Sequence, residues 1–142
     1  RLAGGVPIPD STTNMTALKK FNEAFDEFHR RGWWFHIFPE ACRWDFYKPL
    51  RPFQKGAFTM SYKYNKPLLP CVITFRERKG IFRLFGSKNL PLLTVTIGEP
   101  ILPDTTKPRK IEVERLREVA HNQMIKMAGI THNPWPVTWG NQ

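Results

Sequence analysis

Leu18, Phe21, Phe25 and Phe28 recur at three- and four-residue intervals, with Lys19, Lys20, Asn22, Glu23 and Asp26 on the other faces. That period predicts an amphipathic helix. Ser11, Thr12, Thr13 and Asn14 supply N-cap residue types ahead of it. Gly32, after the basic Arg30 and Arg31, ends it. The aromatic run 33–38, bounded by Gly32 and Pro39, reads as a short buried strand. Residues 39–52 have no apolar period and contain Pro39, Pro49 and Pro52, so they read as a loop. A structureless loop of that length in a compact domain points to function. Residues 56–65 predict a short helix with Phe58 and Tyr62 on one face. Residues 68–75, apolar and rich in β-branched types, predict a second strand. Charges at 76–79 and Gly80 end it. Residues 92–97 predict a third strand, closed by Gly98 and Pro100. The last helix is expected over 110–127, with Leu116, Val119, Ala120 and Met127 facing inward and Gly129 after its end. Residues 131–142, with Pro134, Trp135, Pro136 and Trp139, read as an irregular tail.

The order helix, strand, helix, strand, strand, helix predicts an α/β fold with a mixed, partly parallel sheet flanked by helices. Three strands make a narrow sheet, so further strands are expected outside this segment. Apolar residues make up 41% of the chain and no low-complexity tract interrupts it, which excludes a disordered chain. No uncharged stretch approaches the roughly 20 apolar residues that span a bilayer. The first residues carry no apolar core of a signal peptide.

Charge changes the picture more than composition does. Lys and Arg number 22 against 12 Asp and Glu, a net charge of +10. Such a field concentrates anions, and by itself it does not choose among nucleic acid, anionic lipid and phosphorylated small molecules. Cys42 and Cys71 belong to no CxxC or Cys/His cluster, so neither a disulfide framework nor structural zinc is expected.

Chemistry concentrates in Phe38-Pro39-Glu40-Ala41-Cys42-Arg43 and Arg51-Pro52-Phe53-Gln54-Lys55-Gly56-Ala57-Phe58. A strand would empty into a loop carrying Glu40 and Arg43, and Lys55 would stand where Gly56 opens a helix. Ligands dock at the carboxyl ends of strands in open α/β sheets. A guanidinium grips phosphate oxygens in a planar, bidentate way, and helix-opening N–H groups add positive potential. On spacing alone, Glu40 and Arg43 could equally pair with each other or with neighbours and pin a surface loop. Trp44, Phe46 and Tyr47, interleaved with Arg43, Lys48 and Arg51, fit either a membrane-interface patch or a loop folded on itself. Cys42 beside Arg43 has the setting of an activated thiol but no His or Asp partner along the sequence.

These blocks resemble the glycerol-phosphate and lysophosphatidate acyltransferases of the bacterial phospholipid pathway. The family's third block reads F-P-E-G-T-R, then P-F-K-K-G-A after a loop. Phe38, Pro39, Glu40 and Arg43 match the first part, with Ala41 and Cys42 where Gly and Thr are usual. Pro52, Phe53, Lys55, Gly56 and Ala57 match the second. Lys66-Pro67-Leu68-Leu69-Pro70-Cys71-Val72 is similar to the fourth block, and the segment from Arg1 to Ile8 to the entry of the second, so the likeness covers roughly residues 1–100. Asp10 stands where the second block usually ends in Arg. The first block, H-x-x-x-x-D, has no counterpart: five residues beyond His29, His36, His121 and His132 stand Trp34, Ala41, Lys126 and Val137.

The resemblance implies that residues 1–142 form the C-terminal part of a single acyltransferase domain whose base-carrying block lies upstream. It implies acyl transfer from acyl-CoA or acyl carrier protein to a lysophosphatidate-like glycerophosphate. Glu40, Ala41, Cys42, Arg43, Lys55 and Gly56 would form the phosphate-binding part, with Arg43 as the clamp. No catalytic residue, metal or cofactor is expected in this chain. An anionic membrane surface at the cytoplasmic face of the cell membrane is the expected setting, with the protein peripheral or anchored by parts outside this chain. A non-catalytic lipid-binding relative stays open. A nucleic-acid module is disfavoured, since no RRM, KH or helix-turn-helix signature accompanies the charge.

Overall fold

The computed structural model describes residues 15–41, 49–83 and 91–137, and these fall into two compact units divided between Ile37 and Phe38. The cap cluster from Ser11 to Asn14, Asp10, the segment resembling the second block, and Trp139 lie outside the described residues.

The first unit is built on helix α1, Met15–Arg30. Gly32 closes it at φ +69°, a left-handed conformation that residues with a Cβ adopt at a cost, and Trp33 N–H donates to Phe28 O at 3.1 Å. The aromatic run after it is not a buried strand. Phe35 stacks on Phe25 at 4.6 Å and Trp33 lies 5.1 Å from Phe28, so the run folds back on the helix it follows. Trp33, Trp34 and Phe38 are exposed, and the run makes no ladder with any described residue. Aromatic content signals burial of a face. It does not signal a strand partner.

The second unit holds helix α2 (Gly56–Tyr64), strand β1 (Cys71–Arg76), a 3-10 turn (Gly80–Arg83), strand β2 (Leu92–Ile97) and helix α3 (Arg109–Met127). Among the described residues the sheet is two-stranded and antiparallel, with Ile73 opposite Val95, which corrects the expected partly parallel sheet. β1 starts later than the apolar run suggests because Pro67 and Pro70 have no N–H to give a ladder. Leu68 instead makes an isolated bridge to Ile101, exchanging hydrogen bonds of 2.9 and 2.8 Å. One face of the sheet buries Val72, and the other leaves Ile73, Leu93, Val95 and Ile97 exposed.

The core joins Leu50, Phe53, Phe58, Ile101, Val113, Leu116 and Ala120, so α2 and α3 clamp the segment that precedes α2. The buried face of α3 is turned from the expected one. Val119 is exposed, whereas Glu112, Arg117 and His121 are buried beside Leu116 and Ala120. A count of apolar positions misses this because these polar side chains have local tasks. Glu112 accepts from Asp104 N–H at 2.9 Å and pairs with Arg115, fixing the entry to α3. Tyr62 hydroxyl donates to Lys107 O at 2.8 Å and ties α2 to the same entry.

Leu116 is fully buried at the centre of this cluster. Leu116→Ala is expected to lower the unfolding free energy by about 2–5 kcal/mol in urea denaturation. Val119→Ala, one turn on but exposed, should shift it by no more than about 0.5 kcal/mol.

Candidate functional site

The chain leaves the first unit and turns at once. Ala41 N–H donates to Phe38 O at 3.2 Å, closing a turn across Pro39 and Glu40. Ala41 sits at φ +53°, the left-handed region. The third block resembled in sequence carries Gly there, and the backbone shows why. A Cβ in this conformation costs about 1–2 kcal/mol.

The turn is stitched to the segment that leads into α2. Gln54 N–H donates to Pro39 O at 2.7 Å. The Glu40 carboxylate accepts from Arg51 N–H at 2.9 Å. Two blocks separated along the chain, 38–41 and 51–57, therefore meet through one main-chain hydrogen bond and the Glu40 carboxylate. Burial raises the Glu40 pKa above the ordinary carboxylate range, against the Arg51 amide and the Arg51 charge, which favour the ionised form.

The segment beginning at Leu50 is held from every side by residues far along the sequence. The Asn133 side-chain amide pairs with the main chain of Leu50: Leu50 N–H donates to Oδ1 at 3.1 Å and Nδ2 donates to Leu50 O at 2.9 Å. Arg51 lies over the Trp135 ring at 4.8 Å. Phe53 N–H donates to Val137 O at 3.4 Å, and Arg117 Nη1 donates to Phe53 O at 3.3 Å. The His121 ring meets Phe53 edge-on at 4.7 Å. Both of its nitrogens are buried and neither makes a hydrogen bond of ordinary geometry. Burial holds its pKa below the usual imidazole value, with the backbone of Arg51 and Leu50 opposing the shift.

Lys55 and Gly56 begin α2 on the other side. The Lys55 ammonium pairs with Glu114 Oε1 at 2.7 Å, and Glu114 also pairs with Arg117. The Lys55 hydrogen bond, with Arg117 beside it, lowers the Glu114 pKa. Lys55, Thr59, Arg109, Lys110, Val113 and Glu114 line an open cleft of about 340 Å³. It lies where the N-terminal ends of α2 and α3 adjoin, so its potential is positive. Gly56 is exposed and has no atom close enough to meet an added Cβ. The main chain thus joins the two sequence blocks, while the Lys55 side chain is engaged with α3.

Of the residues expected to form the site, Glu40, Ala41, Lys55 and Gly56 stand as described, and Cys42 and Arg43 lie outside the described residues. So do Trp44, Phe46, Tyr47 and Lys48 of the suggested membrane patch. Among the described residues no group of side chains could hold a metal ion. Asn133, Trp135, Arg117 and His121 belong to no motif that marks them as part of the site. The proline-bracketed Asn133-Pro134-Trp135-Pro136 was the one available signal, because two prolines stiffen an aromatic anchor that would otherwise be a loose tail.

Ala41→Gly relieves the left-handed strain, offset in part by the extra chain entropy of glycine. A stabilisation of about 0.5–1 kcal/mol is expected in urea denaturation. A loss of stability would show that residue 41 does not hold a positive φ in solution.

A family model described as Acyltransferase matches residues 1–74. No curated protein and no solved structure matches the chain. The matched stretch runs from the first residue through the stitched turn, α2 and the first four residues of β1, which is just over half of the sequence. The chain belongs to the acyltransferase family.

Proposed function

We propose that this chain is the phosphate-binding part of an acyltransferase of phospholipid synthesis, one that moves an acyl group from acyl-CoA or acyl carrier protein to a lysophosphatidate-like glycerophosphate. The observation that carries the reading is the union of two blocks, Phe38-Pro39-Glu40 and Pro52-Phe53-Gln54-Lys55-Gly56, through the Pro39–Gln54 and Glu40–Arg51 hydrogen bonds. A turn tied to a helix start would bring the basic residue Arg43 near the opening N–H groups of α2. That is the arrangement a phosphate monoester needs.

In this reading Arg43 clamps the acceptor phosphate and Glu40 holds the loop that carries it. Lys55 adds positive potential and reaches the phosphate by exchanging its partner Glu114. The reaction removes the acceptor hydroxyl's proton as its oxygen attacks the thioester carbonyl, and the thiolate leaves. The base is a His oriented by an Asp. None of the four histidines of this chain has an Asp five residues on, so the base comes from outside it. Fixing the phosphate places the hydroxyl near that base, and such positioning removes several kcal/mol from a bimolecular barrier. The net charge of +10 suits an anionic membrane surface at the cytoplasmic face, where both the acceptor and the product reside. No described helix is long and apolar enough to cross a membrane; in this reading the protein is peripheral or anchored by parts outside this chain.

Arg43→Ala, introduced into the acyltransferase that carries this chain, is expected to raise the acceptor KM and to lower kcat/KM by roughly tenfold to a hundredfold. That is the loss of a charge-assisted, bidentate contact. Unchanged kinetics would remove Arg43 from the site. The 142-residue chain alone is expected to give no product in a thioester-release assay, and turnover by the pure chain would place the base within it.

A further inference from the structure

The family match ends at residue 74, yet the main chain of residues 50–53 is held by residues 117–137. We infer that Asn133 is a positioning residue of the site: its side-chain amide latches Leu50 so that the next residue, Arg51, presents its N–H to Glu40. The inference rests on reading the block that begins at Phe38 as the phosphate grip.

The geometry is that of a strand neighbour made by one side chain. Asn133 Oδ1 accepts from Leu50 N–H at 3.1 Å, and Nδ2 donates to Leu50 O at 2.9 Å. Nδ2 also donates to Trp135 O at 3.2 Å, which binds the latch to its own segment. Leu50 is buried, so neither of its main-chain groups has bulk water as a ready substitute. Asn is the right type, because a primary amide carries an acceptor and two donors in one plane and can satisfy a main-chain N–H and C=O together. Trp135 beneath Arg51 and Val137 O on Phe53 N–H extend the same contact on either side. Arg51 is thereby fixed at its side chain, its N–H and its preceding residue. The Glu40 carboxylate has a stationary donor to meet. With the latch open, Glu40 gains water, and the turn that ends at the strained Ala41 loses its anchor.

Three measurements on the 142-residue chain test this, with Asn133→Ala and the isosteric Asn133→Asp compared with the unsubstituted protein. In the unsubstituted protein the Leu50 and Arg51 amides should be protected from hydrogen exchange. Exchange at the rate of exposed amides would overturn the latch whatever the variants do. In N133A the exchange of these two amides should accelerate roughly tenfold or more, the loss of two buried hydrogen bonds, while amides 113–121 of α3 keep their protection. N133D keeps the acceptor for Leu50 N–H but turns a carboxylate oxygen toward the Leu50 and Trp135 carbonyls, so its exchange should lie between those of N133A and the unsubstituted protein; unaccelerated exchange in N133A would show that packing holds the segment and overturn the inference. Equal acceleration throughout α3 would reduce Asn133 to a general stability role and overturn the inference. The titration midpoint of Glu40, followed by carbon NMR, should move in N133A, because both its burial and its Arg51 N–H partner depend on the latch, and an unmoved midpoint counts against the inference. Binding of sn-glycerol 3-phosphate should weaken roughly tenfold in N133A, and undiminished binding would overturn the positioning role. If the unsubstituted chain does not bind this probe while exchange and titration respond as expected, the phosphate reading fails and the latch stands.

Discussion

A buried main-chain segment without a ladder needs a partner for each N–H and C=O, and residues 50–53 are such a segment. They enter the core through Leu50 and Phe53 but belong to no helix or strand. Their hydrogen bonds go to Asn133, Glu40, Val137 and Arg117. The second unit is arranged around that requirement. α3 supplies Arg117 and the His121 ring, and the chain after α3 returns across the segment to supply the rest.

The same requirement explains why polar side chains occupy the inner face of α3. Arg117 is buried because its guanidinium serves Phe53 O on one side and Glu114 on the other. Glu114 in turn holds Lys55, so one carboxylate links the start of α2 to α3. Replacing such a network with apolar groups of equal volume can leave stability unchanged, but removing one member leaves a buried charge unmatched. The network's consequence here is geometric: it sets the spacing between the turn at Glu40 and the helix start at Gly56.

Family membership and local geometry meet at Ala41. The backbone takes a left-handed conformation at the position where the related block carries glycine, so the turn is kept although the residue is not. The packing around the block overrides the preference of one residue, at a cost of about 1–2 kcal/mol. That is affordable only because the turn is tied at Pro39 and Glu40 to a segment that is itself immobilised.

Helices α1, α2 and α3 and strand β2 were legible in the sequence to within a few residues, because periodicity, capping residues and β-branched runs act locally. The blocks at 38–43 and 51–57 were legible too, and with them the family. Pairing was not. The aromatic run 33–38 has strand composition, yet composition cannot say whether a partner strand exists, and here the rings pack on their own helix. Antiparallel pairing of β1 with β2 depends on what the connection between them permits. The partners of Asn133, Trp135 and His121 were not legible for a related reason: each acts on a residue more than sixty positions away, and no local pattern encodes a contact with a distant segment. The sequence by itself determined helices α1, α2 and α3, strand β2 and the family. The tertiary structure decided which main-chain groups meet, since that depends on where burial leaves a donor or acceptor without water.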